Sequence, residues 1–126
     1  MTQYPSHFGD PQMTVDNCLK CFEICTKTQA LSLNLNEEQN FISALLLCAQ
    51  SCQLTVQSLL LESPFYHQTC VLTAELCEQV ADLCDDFDEP EIRSCGEVCL
   101  RCAKSCRAMG SHAAPRPSRQ SDVRLV

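Results

Sequence analysis

Tryptophan is absent from this 126-residue chain, glycine occurs three times, and six prolines fall outside the apolar runs. Basic residues are also scarce: 9 Lys and Arg against 16 Asp and Glu leave a net charge of -7. A phosphate-binding surface needs the opposite sign, so nucleic acid is not an expected partner. The triplets Leu45 to Leu47 and Leu59 to Leu61 are too short to span a membrane. The stretch Met1 to Pro11 is polar. Taken as the start of the full product, it predicts neither a signal nor a transit peptide, and a cytoplasmic chain. No nucleophile–base pair is visible, and the inward Glu and Glu-x-x-His pairs of di-iron bundles are missing, so an enzyme is not expected.

What is abundant is cysteine, twelve in all. In a reducing compartment such density reads as metal binding or redox chemistry rather than stapling. The surrounding punctuation predicts an all-α fold. Asp10-Pro11 is an N-cap followed by proline at the first helical position. Asn36 with Gln39 has capping-box spacing, Ser63-Pro64 repeats the cap-then-proline signal, and Asp88 with Glu91 opens a fourth segment that Gly110 closes. The expected helices are 11–33, 37–62, 64–86 and 89–109, an antiparallel up-down-up-down four-helix bundle within a 1–110 domain. The segment 111–126, rich in Ala, Pro, Arg and Ser, is expected to be a disordered tail.

The cysteines follow those helices. The first carries Cys18, Cys21 and Cys25; the second Cys48 and Cys52; the third Cys70, Cys77 and Cys84; the fourth Cys95, Cys99, Cys102 and Cys106. At about 100° per residue, each set stays inside an arc of roughly 60°. Ala74, Ala81 and Val98 flank these arcs, whereas Lys20, Lys27, Glu78, Asp85, Arg101 and Arg107 lie opposite. The arcs therefore face inward, and the core is lined with sulfur.

One or two buried cysteines are ordinary core filler; twelve would leave a loose interior. Disulfides between C-x3-C pairs such as Cys48/Cys52 and Cys102/Cys106 are a second reading, in an oxidising compartment. For metal, charge decides. About twelve buried thiolates are neutralised by as many Cu(I) ions, whereas three zinc sites would leave roughly six negative charges in the core. Thiolate is also a soft ligand that suits Cu(I). The expected cargo is therefore multiple Cu(I) ions. A zinc or mixed soft-metal protein and a disulfide-linked or redox-switch scaffold remain as alternatives.

Antiparallel topology gathers His7, His67, His112, Met13 and Met109 at one end, where imidazole and thioether groups could pass metal in and out. At the other end Thr28, Ser32, Phe41, Leu45, Val80 and Ile92 should close the bundle, with only Cys84 and Cys95 contributing sulfur. Leu47, Leu54 and Leu61 form a heptad stripe away from Cys48 and Cys52, which suggests a homo-oligomer.

The stretches Cys18-Leu-Lys-Cys21-Phe-Glu-Ile-Cys25, Cys48-Ala-Gln-Ser-Cys52, Ser63-Pro64-Phe65 and Cys95 through Cys106 to Arg107-Ala-Met109 resemble the bacterial copper storage proteins, in particular their cytosolic branch. That resemblance implies a bundle loading many Cu(I) ions on the twelve cysteines, often as a homotetramer. Exported relatives carry a twin-arginine signal that is not found in this sequence. Thr14, Thr28, Ser32, Phe41, Thr73, Val80 and Ile92 stand where cytosolic relatives often have cysteine. A smaller capacity is therefore expected, with a closed end that need not bind copper.

Overall fold

The computed structural model describes residues 9–35 and 38–110. Asn36, His7, His112 and the expected tail 111–126 lie outside them. Four helices form an antiparallel bundle: α1 (Pro11–Asn34), α2 (Gln39–Leu60), α3 (Tyr66–Cys84) and α4 (Pro90–Gly110). They pack as a ring in which each helix meets mainly its two neighbours, most closely at α3–α4 and least at α1–α4.

Helix starts follow local chemistry to different degrees. Asp10 accepts from the backbone N–H of Gln12 and Met13 at 3.0 and 3.2 Å, satisfying two groups that the helix cannot, while Pro11 needs no partner. The expected capping box on Asn36 is not how α2 begins. Its N-cap is Glu38, with no side-chain cap bond. Helix α3 starts two residues later than the proline signal suggests, because Ser63 instead nucleates a turn. The Ser63 hydroxyl accepts from Phe65 N–H at 3.1 Å, and its carbonyl accepts from Tyr66 N–H at 3.2 Å.

Helix α2 ends in a Schellman arrangement. Glu62 takes φ 54. Ser63 N–H reaches the Ser58 carbonyl at 2.9 Å and Glu62 N–H the Leu59 carbonyl at 3.2 Å. By length and composition α2 could cross a membrane, contrary to the expectation from its leucine triplets, yet 56% of its most apolar window is buried inside the bundle. It is the most apolar of four core helices.

Two seams set the spacing of the sulfur positions. Between α2 and α3, hydroxyls replace apolar contacts. Thr55 and Thr73 hydroxyls are 2.8 Å apart, Ser58 and Thr69 hydroxyls 2.7 Å apart, and Thr73 donates to the Ser51 carbonyl at 3.0 Å. Every one of these buried groups has a partner, so the seam fixes register without a desolvation cost left over. Between α3 and α4, Arg107 grips Glu78 with two bonds of 2.7 and 3.1 Å at the surface, and Gly96 lets α4 sit directly on Cys84.

A methyl group at Gly96 would lie 3.0 Å from Cys84 Cβ, a position close to the α3 backbone that cannot swing away. Gly96→Ala gains about 1 kcal/mol of helix propensity but incurs about 1–3 kcal/mol of overpacking. We expect a net loss of about 1 kcal/mol in denaturant unfolding of the reduced metal-free protein. A neutral or stabilising result would mean that the α3–α4 spacing is not fixed there.

Candidate metal centre

All twelve cysteines are free and buried, none more than 1% exposed. Four helices each keep their thiols on one narrow inward arc, so the sulfurs form one continuous array instead of separate pockets. Its middle layer draws on every helix. Cys21 lies 4.0 Å from Cys48, 3.7 Å from Cys77 and 3.7 Å from Cys99, and Cys48 is 3.6 Å from Cys77. A second set, Cys21, Cys52, Cys77 and Cys102, is also mutually within reach of one ion.

Toward the N-terminal end of α1 the array narrows to Cys18, Cys102 and Cys106, with Cys18 3.7 Å from each of the other two. Toward the opposite end it continues through Cys25, 3.6 Å from Cys99 and 4.0 Å from Cys95. Cys70 and Cys84 flank these sets without belonging to any of them. Cys84 lies beside Cys95, whose thiol pushes it up together with burial.

The thiol protons are shared unevenly along the array. Hydrogen bonds from Cys102, Cys106 and Cys52 pull Cys18 down against the opposing effect of burial. Cys95 is pulled down by Cys25, Cys84 and Cys99. The donors move the other way: Cys77, among Cys102, Cys21, Cys48 and Cys52, is pushed up, as is Cys106 beside Cys102, Cys18 and Cys70. In physical terms, some sulfurs can carry charge only because neighbouring thiols keep their protons and point them inward. Among the described residues no lysine or arginine shares this core: Lys20, Lys27, Arg93, Arg101, Lys104 and Arg107 are all exposed. Full deprotonation would therefore need positive charge brought in from outside.

At the expected mouth the candidates separate. Met109 is 2% exposed, and Gly9, at φ 128, passes so close that a methyl group there would lie 3.0 Å from its sulfur. His67 is partly buried, and its Nδ1 is buried with no hydrogen-bond partner. Met13, in contrast, is 55% exposed and lines a surface groove of about 370 Å³ with Asn17, Arg101 and Lys104. At the far end Thr28, Ser32, Phe41, Leu45, Val80 and Ile92 are all buried, and the Phe41 and Phe87 rings stack with centroids 4.7 Å apart.

The sequence reading missed the extent of the hydroxyl seam. Ser51, Thr55 and Ser58 recur at steps of four and three beside the α2 thiols, a spacing that could have revealed it.

A sulfur column of this kind, threaded through a four-helix bundle, has counterparts among known proteins. The copper storage protein family model matches residues 9–111. The chain belongs to that family. Among its relatives is an uncharacterised cysteine-rich protein, YhjQ, of Bacillus subtilis (strain 168). The two are 27% identical over 100 residues, which span 77% of this chain and 93% of YhjQ. Two solved structures share the fold at 27% identity. One is the Cu(I)-bound copper storage protein BsCsp3, with a TM-score of 0.73 over 79% of this chain and 96% of that one. The other is the metal-free copper storage protein 3 of Bacillus subtilis, with a TM-score of 0.75 over 80% and 99%. The bundle described here thus resembles the metal-free and the Cu(I)-bound relative about equally well.

Proposed function

We infer that this chain stores or buffers Cu(I), holding multiple ions on its core cysteines. The observation that carries this reading is the buried array, in which nine of the twelve sulfurs have a neighbour 3.6–4.0 Å away and no Lys or Arg of the described residues is buried. Thiolates that bridge monovalent ions neutralise such a column one for one, and Cu(I) is the soft monovalent ion that thiolate prefers. Membership of the copper storage family and the Cu(I)-bound relative support the same reading. The proposed ligands are Cys18, Cys21, Cys25, Cys48, Cys52, Cys70, Cys77, Cys84, Cys95, Cys99, Cys102 and Cys106. Storage, not catalysis, is the role the family assigns. A reducing compartment such as the cytoplasm suits twelve free thiols, and cell fractionation checks that location.

An anaerobic Cu(I) titration of reduced protein against a chromogenic chelator tests the storage reading. Tight uptake of about one ion per cysteine is expected, with protons released as thiols become thiolates and affinity rising with pH. Saturation at one ion per four cysteines, or loss of all copper to the chelator, would sink it.

We place the proposed entry at the end where Met109 and His67 lie. A buried imidazole nitrogen without a partner and a thioether under a glycine are exchangeable stations for a soft ion. The exposed Met13 is a further candidate at that end, and His112, expected from the sequence, lies outside the described residues. Replacing Met13, Met109 and His67 with Ala should alter the rate at which a chelator strips copper far more than the final load. Unaltered rates would put entry elsewhere.

The stripe Leu47, Leu54 and Leu61, between 47% and 78% exposed, supports association of copies of this chain, a tetramer by analogy with the family. Leu54→Glu should shift sedimentation toward the monomer. If the distribution does not move, this face is not the contact.

A further inference from the structure

We propose that the waist of the bundle is also a site for one divalent thiophilic cation, zinc or a tetrahedral analogue, held by Cys21, Cys48, Cys77 and Cys99. This goes beyond the copper reading and does not rest on it.

The geometry fits a tetrahedral thiolate site contributed by all four helices. A Zn–S bond of about 2.3 Å places the four sulfurs of a tetrahedral site about 3.8 Å apart. The recorded separations are 3.6 Å for Cys48–Cys77, 3.7 Å for Cys21–Cys77 and Cys21–Cys99, and 4.0 Å for Cys21–Cys48. The remaining two separations are within 4.8 Å. Each of the four helices contributes one of these thiols, so the ligands are already gathered by the packing.

The arrangement also limits the count to one. The other four-sulfur set, Cys21, Cys52, Cys77 and Cys102, shares Cys21 and Cys77 with the first, so the two cannot be filled together as separate tetrahedra. The end sets offer three sulfurs each, and Cys25–Cys95–Cys99 loses Cys99 once the waist is occupied. Twelve cysteines could supply three tetrathiolate sites by number alone; by position they supply one.

Binding is balanced as follows. Four thiols release four protons to solvent, no electrons move, and the dication with four thiolates carries a charge of -2. The other eight cysteines stay neutral. Cys25 then serves as an outer partner: its sulfur lies 3.9 Å from Cys21 and 3.6 Å from Cys99, placed to donate its S–H to the charged cluster. A second dication beside the first would add buried negative charge that no neighbouring cation offsets.

Anaerobic titration of the reduced, metal-free full chain with Co(II) tests this. The intense visible bands of tetrahedral cobalt tetrathiolate should saturate at one ion per chain, and one equivalent of Zn(II) should bleach them. Cys48→Ser removes a ligand of the proposed set only. It should weaken Co(II) binding by more than about a hundredfold, the upper end for loss of a mere outer partner. Cys52→Ser, which touches only the alternative set, and Cys84→Ser, which touches neither, should leave it unchanged. Far-UV circular dichroism of each variant verifies the fold, and Cu(I) uptake is read separately, so failure here leaves copper storage standing. Saturation at three ions per chain, a weak six-coordinate spectrum, or a Cys52→Ser loss as large as that of Cys48→Ser would overturn the proposal.

Discussion

A buried thiol column imposes a condition on everything around it: its charge must stay near zero. Thiols are neutral and tolerable in a dry core, but thiolates are neither unless cations accompany them. The lysines and arginines of the described residues are all exposed and stand outside the column. Metal-free, the array therefore keeps its protons, sharing them between donors such as Cys77 and Cys106 and acceptors such as Cys18 and Cys95. Loading exchanges protons for monovalent ions at constant charge. The same condition would confine a divalent ion to the one layer where four helices each lend a sulfur.

The helices do not share the work equally. Helix α2 contributes sulfur only at Cys48 and Cys52, and then continues as Thr55 and Ser58 along the hydroxyl seam with α3. Beyond the waist, α1 and α4 share close sulfur contacts on both sides, Cys18 with Cys102 and Cys106 on one and Cys25 with Cys95 and Cys99 on the other. Cys84 beside Cys95 and Cys70 beside Cys106 link α3 to α4. Helices α1 and α4 also meet least closely elsewhere. Metal bound between them would add contacts where the metal-free packing is thinnest.

Much of this could be read from the chain itself. The heptad-related spacing of twelve cysteines gave the helices, their inward faces and the sulfur core, because helical periodicity leaves few alternatives at that density. Asp10-Pro11 was legible because its cap is purely local. The start of α2 was not, since Glu38 caps without a side-chain bond and so leaves no signature. Ser63-Pro64 marked a turn but not the first helical residue. Which sulfurs meet depends on helix rotation and on contacts such as Gly96 against Cys84, which no single segment encodes. Met13 and Met109 look alike in sequence, yet one is exposed and the other buried beneath Gly9.

The hydroxyl seam has a consequence for how far such a vessel can be enlarged. Thr73 occupies an inward position where a thiol would lengthen the column, but its hydroxyl meets both Thr55 and the Ser51 carbonyl. A sulfur there would be a weaker hydrogen-bonding group on a longer bond, and the α2–α3 register would lose a fixed point. Capacity and stiffness are drawn from the same sites in this wall. A chain that keeps its hydroxyls gives up ion sites for hydrogen bonds that pin α2 to α3 before any metal is bound.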